Sequence, residues 1–184
     1  MIHFTLESHK YKLPTNWTEI TIATYQRMVT VQDGDLSPLR ILAALSGADY
    51  QALADSKADL AMHTREALTF WAAEVPNFLK LPLRDKYSFR GKFYDRPKNI
   101  ELERMGQKIM LQQKMQEAKD VNQCLAFAIA LYMQPILDDD KFDEKRIPEL
   151  EQEVLAMKVL DLYPLALFFS QNLIGLSLSG TLGL

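Results

Sequence analysis

Two stretches of this chain alternate apolar and polar residues, meet a proline, and continue with helical spacing. One is HFTLESHKYKLPTNWTEITIATYQRM, residues 3 to 28; the other is KYSFRGKFYDRPKNIELERMGQKI, residues 86 to 109. Alternation is the mark of a strand, and proline lacks the N–H that a strand ladder needs. Each stretch therefore reads as a β-hairpin ended by proline and followed by a helix. In the first, residues 2 to 5 and 11 to 13 are the strands, ESHK is the turn and Pro14 the stop. Asn16 and Glu19 have capping-box spacing, Ile20, Ala23 and Met28 suggest the helix, with Thr21 as an alternative start, and Asp33-Gly34 breaks it. In the second, Tyr87, Phe89, Phe93 and Tyr94 surround Arg90-Gly91, a tight-turn signal. Pro97 follows, and Asn99 can cap a helix carrying Leu102, Met105, Ile109 and Leu111.

The remaining segments are helical. Ser37-Pro38 opens one with stripe Leu39, Leu42, Ala43 and Leu45, closed by Gly47. Tyr50, Leu53 and the segment from Lys57 to Ala73 follow, with Leu60, His63, Ala67, Phe70 and Trp71 at three- and four-residue steps. VPNFLKLPLRDK connects the halves. Val121 to Leu137 is strongly apolar, a buried helix with Pro135 in its last turn. DDDKFDEKRIP is a charged connector, and Pro148 to Phe169 is the last long helix. The expectation is a predominantly α-helical α+β fold: a helical bundle with two small β-hairpins in a single domain, 1–184. Halves 1–80 and 86–172 share their element order, with Pro14 and Pro97 offset by 83 residues. Few identities accompany the match, so generic patterning accounts for it as well as duplication does.

Composition is 48% hydrophobic and 24% charged, and the net charge is −3 with scattered basic residues. That lacks the concentrated basic face on which phosphate binding depends, so no nucleic-acid partner is expected. Cys124 is the only cysteine, which excludes an internal disulfide and a cysteine-built zinc site and fits a reducing cytoplasm. MIHFTLESHK has no signal-peptide pattern. Residues 162 to 184 carry no charge over a length that could span a bilayer. Pro164, Gln171 and Asn172 argue instead for a buried helix and then an apolar tail, 173–184, without a membrane role.

Candidate chemistry is sparse. Asp59, His63 and Glu66 share helical spacing that could hold a metal or move protons, but opposite charges on one helix face are ordinary neighbours. His3 and His9 read as hairpin surface residues. Asp138, Asp139, Asp140, Asp143 and Glu144 begin like a calcium loop, yet Phe142 replaces a ligand and Asp143 the turn glycine. No phosphate loop and no G-x-S-x-G elbow is present. The expectation is no catalytic residue, no metal and no cofactor. What stands out is apolar surface in the aromatic hairpin, in FLKLPL and at the uncharged C-terminus. A lone hairpin also leaves strand edges open to another chain.

YSFRGKFYDRP followed by IELERMGQKIMLQQ, an apolar helix and LYPLALFF resembles small tail-associated proteins of tailed bacteriophages. YKLPTNWTEITIATYQRM and PLRILAALSGADY are similar to the same group. It includes tail assembly chaperones, which hold the tape-measure protein until tail subunits polymerise around it. The resemblance implies a non-enzymatic assembly role in the host cytoplasm, with tape-measure, tail tube or baseplate subunits as partners. A structural place in the virion tail or baseplate, with homo-oligomer contacts, is the alternative. The residues expected to bind a partner are Tyr87, Phe89, Phe93 and Tyr94 in one surface, and Phe168, Phe169, Leu173, Ile174 and Leu176 in another.

Overall fold

The computed structural model describes residues 1–32, 36–96, 105–118, 121–139 and 141–173; of residues 105, 121 and 170–173 it describes the backbone alone. Asp33-Gly34, Pro97, Asn99, Leu102, the Met105 side chain, Asp140 and the tail beyond residue 173 lie outside that description. The fold is α+β and mainly helical, with two antiparallel two-stranded sheets among the described residues. The chain divides into two compact units, Met1–Phe78 with Leu155–Asp161, and Leu79–Val154 with Leu162–Leu184.

In the first unit, β1 (Ile2–Leu6) pairs with β2 (His9–Leu13), Ile2 opposite Leu13 and Leu6 opposite His9. The loop is the two residues Glu7-Ser8, tighter than the expected ESHK, and Glu7 takes φ 54°. Alternation sends Phe4, Leu6 and Leu13 into the core, and Phe4 lies against the Tyr11 ring and the His63 ring. The helices are α1 (Ile22–Gln32), α2 (Pro38–Ser46), α3 (Tyr50–Asp55) and α4 (Ala61–Trp71).

Helix α1 starts later than the Ile20, Ala23, Met28 stripe implies. Ile20 and Thr21 are extended because their backbone groups pair with a distant segment: Val159 N–H donates to Ile20 O at 3.0 Å, and Ile22 N–H to Met157 O at 2.9 Å. Lys158 Nζ adds a bond to Glu19 O at 2.9 Å. Starting at Ile22 shifts the buried face to Ile22, Thr24, Met28 and Val29. Arg27 then reaches the C-terminal turn of α2, where its Nε donates to Ala44 O at 2.9 Å and Nη2 to Thr24 Oγ1 at 3.1 Å. A cation on a helix's last carbonyls satisfies an orphan acceptor and suits the helix dipole. Gly47 ends α2 at φ 75°, and a Cβ there would stand 3.2 Å from Arg27 Nη2.

Asn16 caps a short 3-10 turn, Trp17–Glu19, by accepting from Thr18 N. Glu19 turns back, accepting from Thr15 N at 2.8 Å, from the Thr15 hydroxyl and from the terminal ammonium of Met1 at 2.9 Å. This is the reciprocal half of the expected capping box, displaced by one residue from Asn16 to Thr15.

In the second unit, β3 (Lys86–Phe89) pairs with β4 (Lys92–Asp95), and α5 (Met105–Glu117) and α6 (Leu125–Leu137) follow. The single helix expected from Pro148 to Phe169 is instead two, α7 (Ile147–Leu155) and α8 (Val159–Leu173), of which Leu155 and Val159–Asp161 belong to the first unit. Leu125 to Gln134 of α6 are all buried, as a helix apolar on every side must be. Pro135 sits inside α6 and removes the N–H that would bond the carbonyl four residues back. That carbonyl belongs to Leu131, and Gln107 Nε2 of α5 donates to it at 2.9 Å. Gln107 and Leu111 are therefore the buried pair on α5, while Ile109, expected on the inner stripe, is exposed. Gln134, itself buried, donates to Asp138 Oδ2 and Lys141 O and accepts from Asp143 N, which fixes the charged connector to the end of α6.

Two outcomes follow from these contacts. The Thr15 N–H bond above all, with the Thr15 hydroxyl and the terminal ammonium, holds the Glu19 carboxyl below the usual carboxylate range. A depressed folded pKa stabilises the fold above the unfolded value and is lost as pH falls through the folded one. The melting-temperature gap between wild type and Glu19→Gln should therefore persist at neutral pH and close as the pH is taken below 4.5. In urea unfolding, Gln107→Leu should cost about 1–3 kcal/mol by orphaning the Leu131 carbonyl. The same change should cost less in a Pro135→Ala background, where position 135 regains its N–H.

Candidate partner-binding surface

The β3–β4 hairpin carries four of the aromatic residues marked by sequence. Its loop is Arg90-Gly91, with φ 50° and 73°, the type I′ geometry that matches strand twist. Register puts Tyr87 opposite Tyr94 and Phe89 opposite Lys92 on one face, and Ser88 opposite Phe93 on the other. Tyr87 and Phe89 are buried within the chain, Tyr94 is half-buried, and Phe93 is 74% exposed. Burial pushes the Tyr87 phenol up, and its oxygen accepts from Arg84 N–H at 3.2 Å. Of the aromatic set, Phe93 alone stands fully on the surface. Lys86 and Asp95, paired at 3.7 Å, share its face, so the ring sits in polar surroundings.

The second expected surface divides in the same way. Phe169 is buried and stacks on Tyr132 with centroids 5.1 Å apart, so it belongs to the core. Phe168 is half-buried, its ring covered by the Arg96 guanidinium at 4.8 Å. The side chain of Leu173, together with Ile174 and Leu176, lies outside the described residues. In the connector, Phe78 is buried, whereas Leu79 is 64% exposed and Leu83 is exposed as well. Met62 on α4, which the sequence reading did not single out, is 60% exposed. Helical spacing could have found it, because it falls off the stripe defined by His63, Ala67 and Phe70.

Arg90, which the sequence marks as a turn residue, also makes a side-chain contact that sequence reasoning did not expect. Its Nε donates to both Glu153 carboxylate oxygens, at 3.0 and 2.9 Å, and its Nη2 reaches Glu153 and Glu149. The Glu153 bonds raise the Arg90 pKa, so the guanidinium stays charged. A non-glycine residue in the left-handed region is thereby held in place at both ends: by the turn and by α7.

The other candidates are placed by local contacts. Asp59 precedes α4 and accepts from Ala61 N, while His63 packs on Phe4. His3 faces outward opposite Lys12, and His9 is on the opposite face at the strand end. Asp138 is paired with Arg146 at 2.7 Å. Among the described residues, no group of three or more His, Cys, Asp or Glu side chains could hold a metal ion. A shallow cavity of about 180 Å³ is lined by Met110, Gln113, Lys114, Glu117, Phe127 and Glu144. Lys114 Nζ stands over the Phe127 ring at 5.4 Å within that lining. Among the described residues no helix is long and apolar enough to cross a membrane. No protein-family model, curated protein or solved structure matches the chain.

Proposed function

We propose that this chain is a non-enzymatic assembly protein of tailed-bacteriophage tails, acting in the host cytoplasm. It would hold a tape-measure, tail tube or baseplate subunit through apolar side chains that its own fold leaves uncovered. The observation that carries the reading is Phe93, 74% exposed on a hairpin whose two strands pair only with each other among the described residues. A large ring in water contributes little to folding, but buried at an interface it contributes the transfer energy of its area. An open strand edge beside it supplies main-chain donors and acceptors for a partner strand. Leu79 and Leu83 extend the exposed apolar side chains of the same unit. The resemblance of the hairpin and helix segments to tail-associated proteins supplies the class of partner.

The test is co-expression of the full chain with individual tail proteins, followed by affinity recovery. Wild type should retain one of them, and Phe93→Ser should lower recovery about tenfold or more, the size of a central aromatic contact. Equal recovery by both, or no tail protein with either, contradicts the proposal. Mass spectrometry of mature particles separates the two roles: absence of the chain supports a transient chaperone, and presence supports a structural subunit.

A further inference from the structure

A two-stranded hairpin is at best marginally stable by itself, so what fastens β3–β4 to its unit decides when it stays closed. Backbone approach between this hairpin and any one described helix is sparse, in contrast to the close run of β2 beside α2. Attachment therefore rests on side chains. At the base, Arg96 N–H donates to Asp85 O at 2.7 Å, closing the strand pair, and the Arg96 guanidinium lies on the Phe168 ring of α8. At the tip, Arg90 grips Glu153 and Glu149 of α7. Between these ends, the inner-face rings Tyr87 and Phe89 are covered.

The two ends differ in physical kind. The base combines a main-chain bond with a cation over an aromatic face. The tip is an ion pair that water reaches, its side chains 42% and 33% exposed for Arg90 and Glu153. Pairs of that kind are weak and salt-screened. The loop behind it also holds Arg90 at φ 50°, a conformation that side-chain-bearing residues adopt at some cost.

We propose that the Arg90–Glu149/Glu153 contact is an electrostatic latch, and that β3–β4 opens about its Asp85/Arg96 base as a unit without unfolding the core. Opening carries Tyr87 and Phe89 from the interior to solvent. Ionic strength, or a competing carboxylate offered to Arg90, sets how often this happens. The latch is a property of the isolated chain, so its test is separate from that of partner capture.

Amide hydrogen exchange on the purified full chain reads it directly. In wild type, amides of residues 86–89 and 92–95 should exchange about three- to fivefold faster at about 1 M NaCl than at low salt, the size of an exposed ion pair. Amides of α6 should not follow. In Glu149→Gln/Glu153→Gln, which leaves the turn residues untouched, the hairpin should already exchange at the faster rate and respond little to salt. Hairpin exchange that is indifferent to salt, or that changes only in step with α6, overturns the proposal. The wild-type salt series decides the matter even if the double variant folds poorly.

Discussion

Pro135 takes one N–H out of a helix that is buried along ten consecutive residues, and the Gln107 side chain supplies the missing donor. In such a buried place an unpaired carbonyl costs more than an ordinary hydrogen bond contributes. Much of the second unit follows from meeting that demand. The demand fixes which face of α5 turns inward, with Gln107 and Leu111 buried and Ile109 outside. At the other end of α6, Gln134 meets the same requirement by binding the connector at Asp138, Lys141 and Asp143. That places Arg146 against Asp138 and leads into α7, whose Glu149 and Glu153 receive Arg90.

The hairpin that Arg90 terminates is held differently. Helix α6 is fixed by burial and by the side-chain bonds of Gln107 and Gln134, whereas β3–β4, beyond its buried Tyr87 and Phe89, is held by an exposed ion pair at its tip and a stacked guanidinium at its base. The stiff and the loosely fastened parts of one unit are thus distinguished by the dielectric around their polar contacts. Phe93 projects from the loosely fastened part, on the face away from Tyr87 and Phe89. Its exposure there is what the proposed contact with another polypeptide would cover.

The elements were legible where local chemistry dictates them. Arg90-Gly91 announced a tight turn because a two-residue loop of this twist needs positive φ, and Gly47 announced the end of α2 for the same backbone reason. The apolar run from Leu125 could only be buried. Contacts distant in sequence were not legible. Nothing in ITIATYQRM says that Ile20 will be held extended by Val159, so Asn16 and Thr21 both stood as helix starts, and α1 begins at Ile22, directly after Thr21. Gln107 was invisible to an apolar-stripe argument, because the need it serves arises on another helix. Tyr87, Phe89, Phe93 and Tyr94 were expected in one surface, whereas the register across the two-residue loop sets Phe93 on the face away from Tyr87 and Phe89; composition cannot tell which face is outward. That depends on what the rest of the unit packs against.

Hydroxyl-radical footprinting tests the placement of this surface most directly. In the free chain, Phe93 should be oxidised fastest of the described phenylalanines while Phe89 and Phe169 stay protected, and in complex with a tail partner Phe93 should become protected in turn. Protection of Phe93 in the free chain, or undiminished oxidation in the complex, would contradict the reading of Phe93 as surface left uncovered by folding and covered by a second polypeptide.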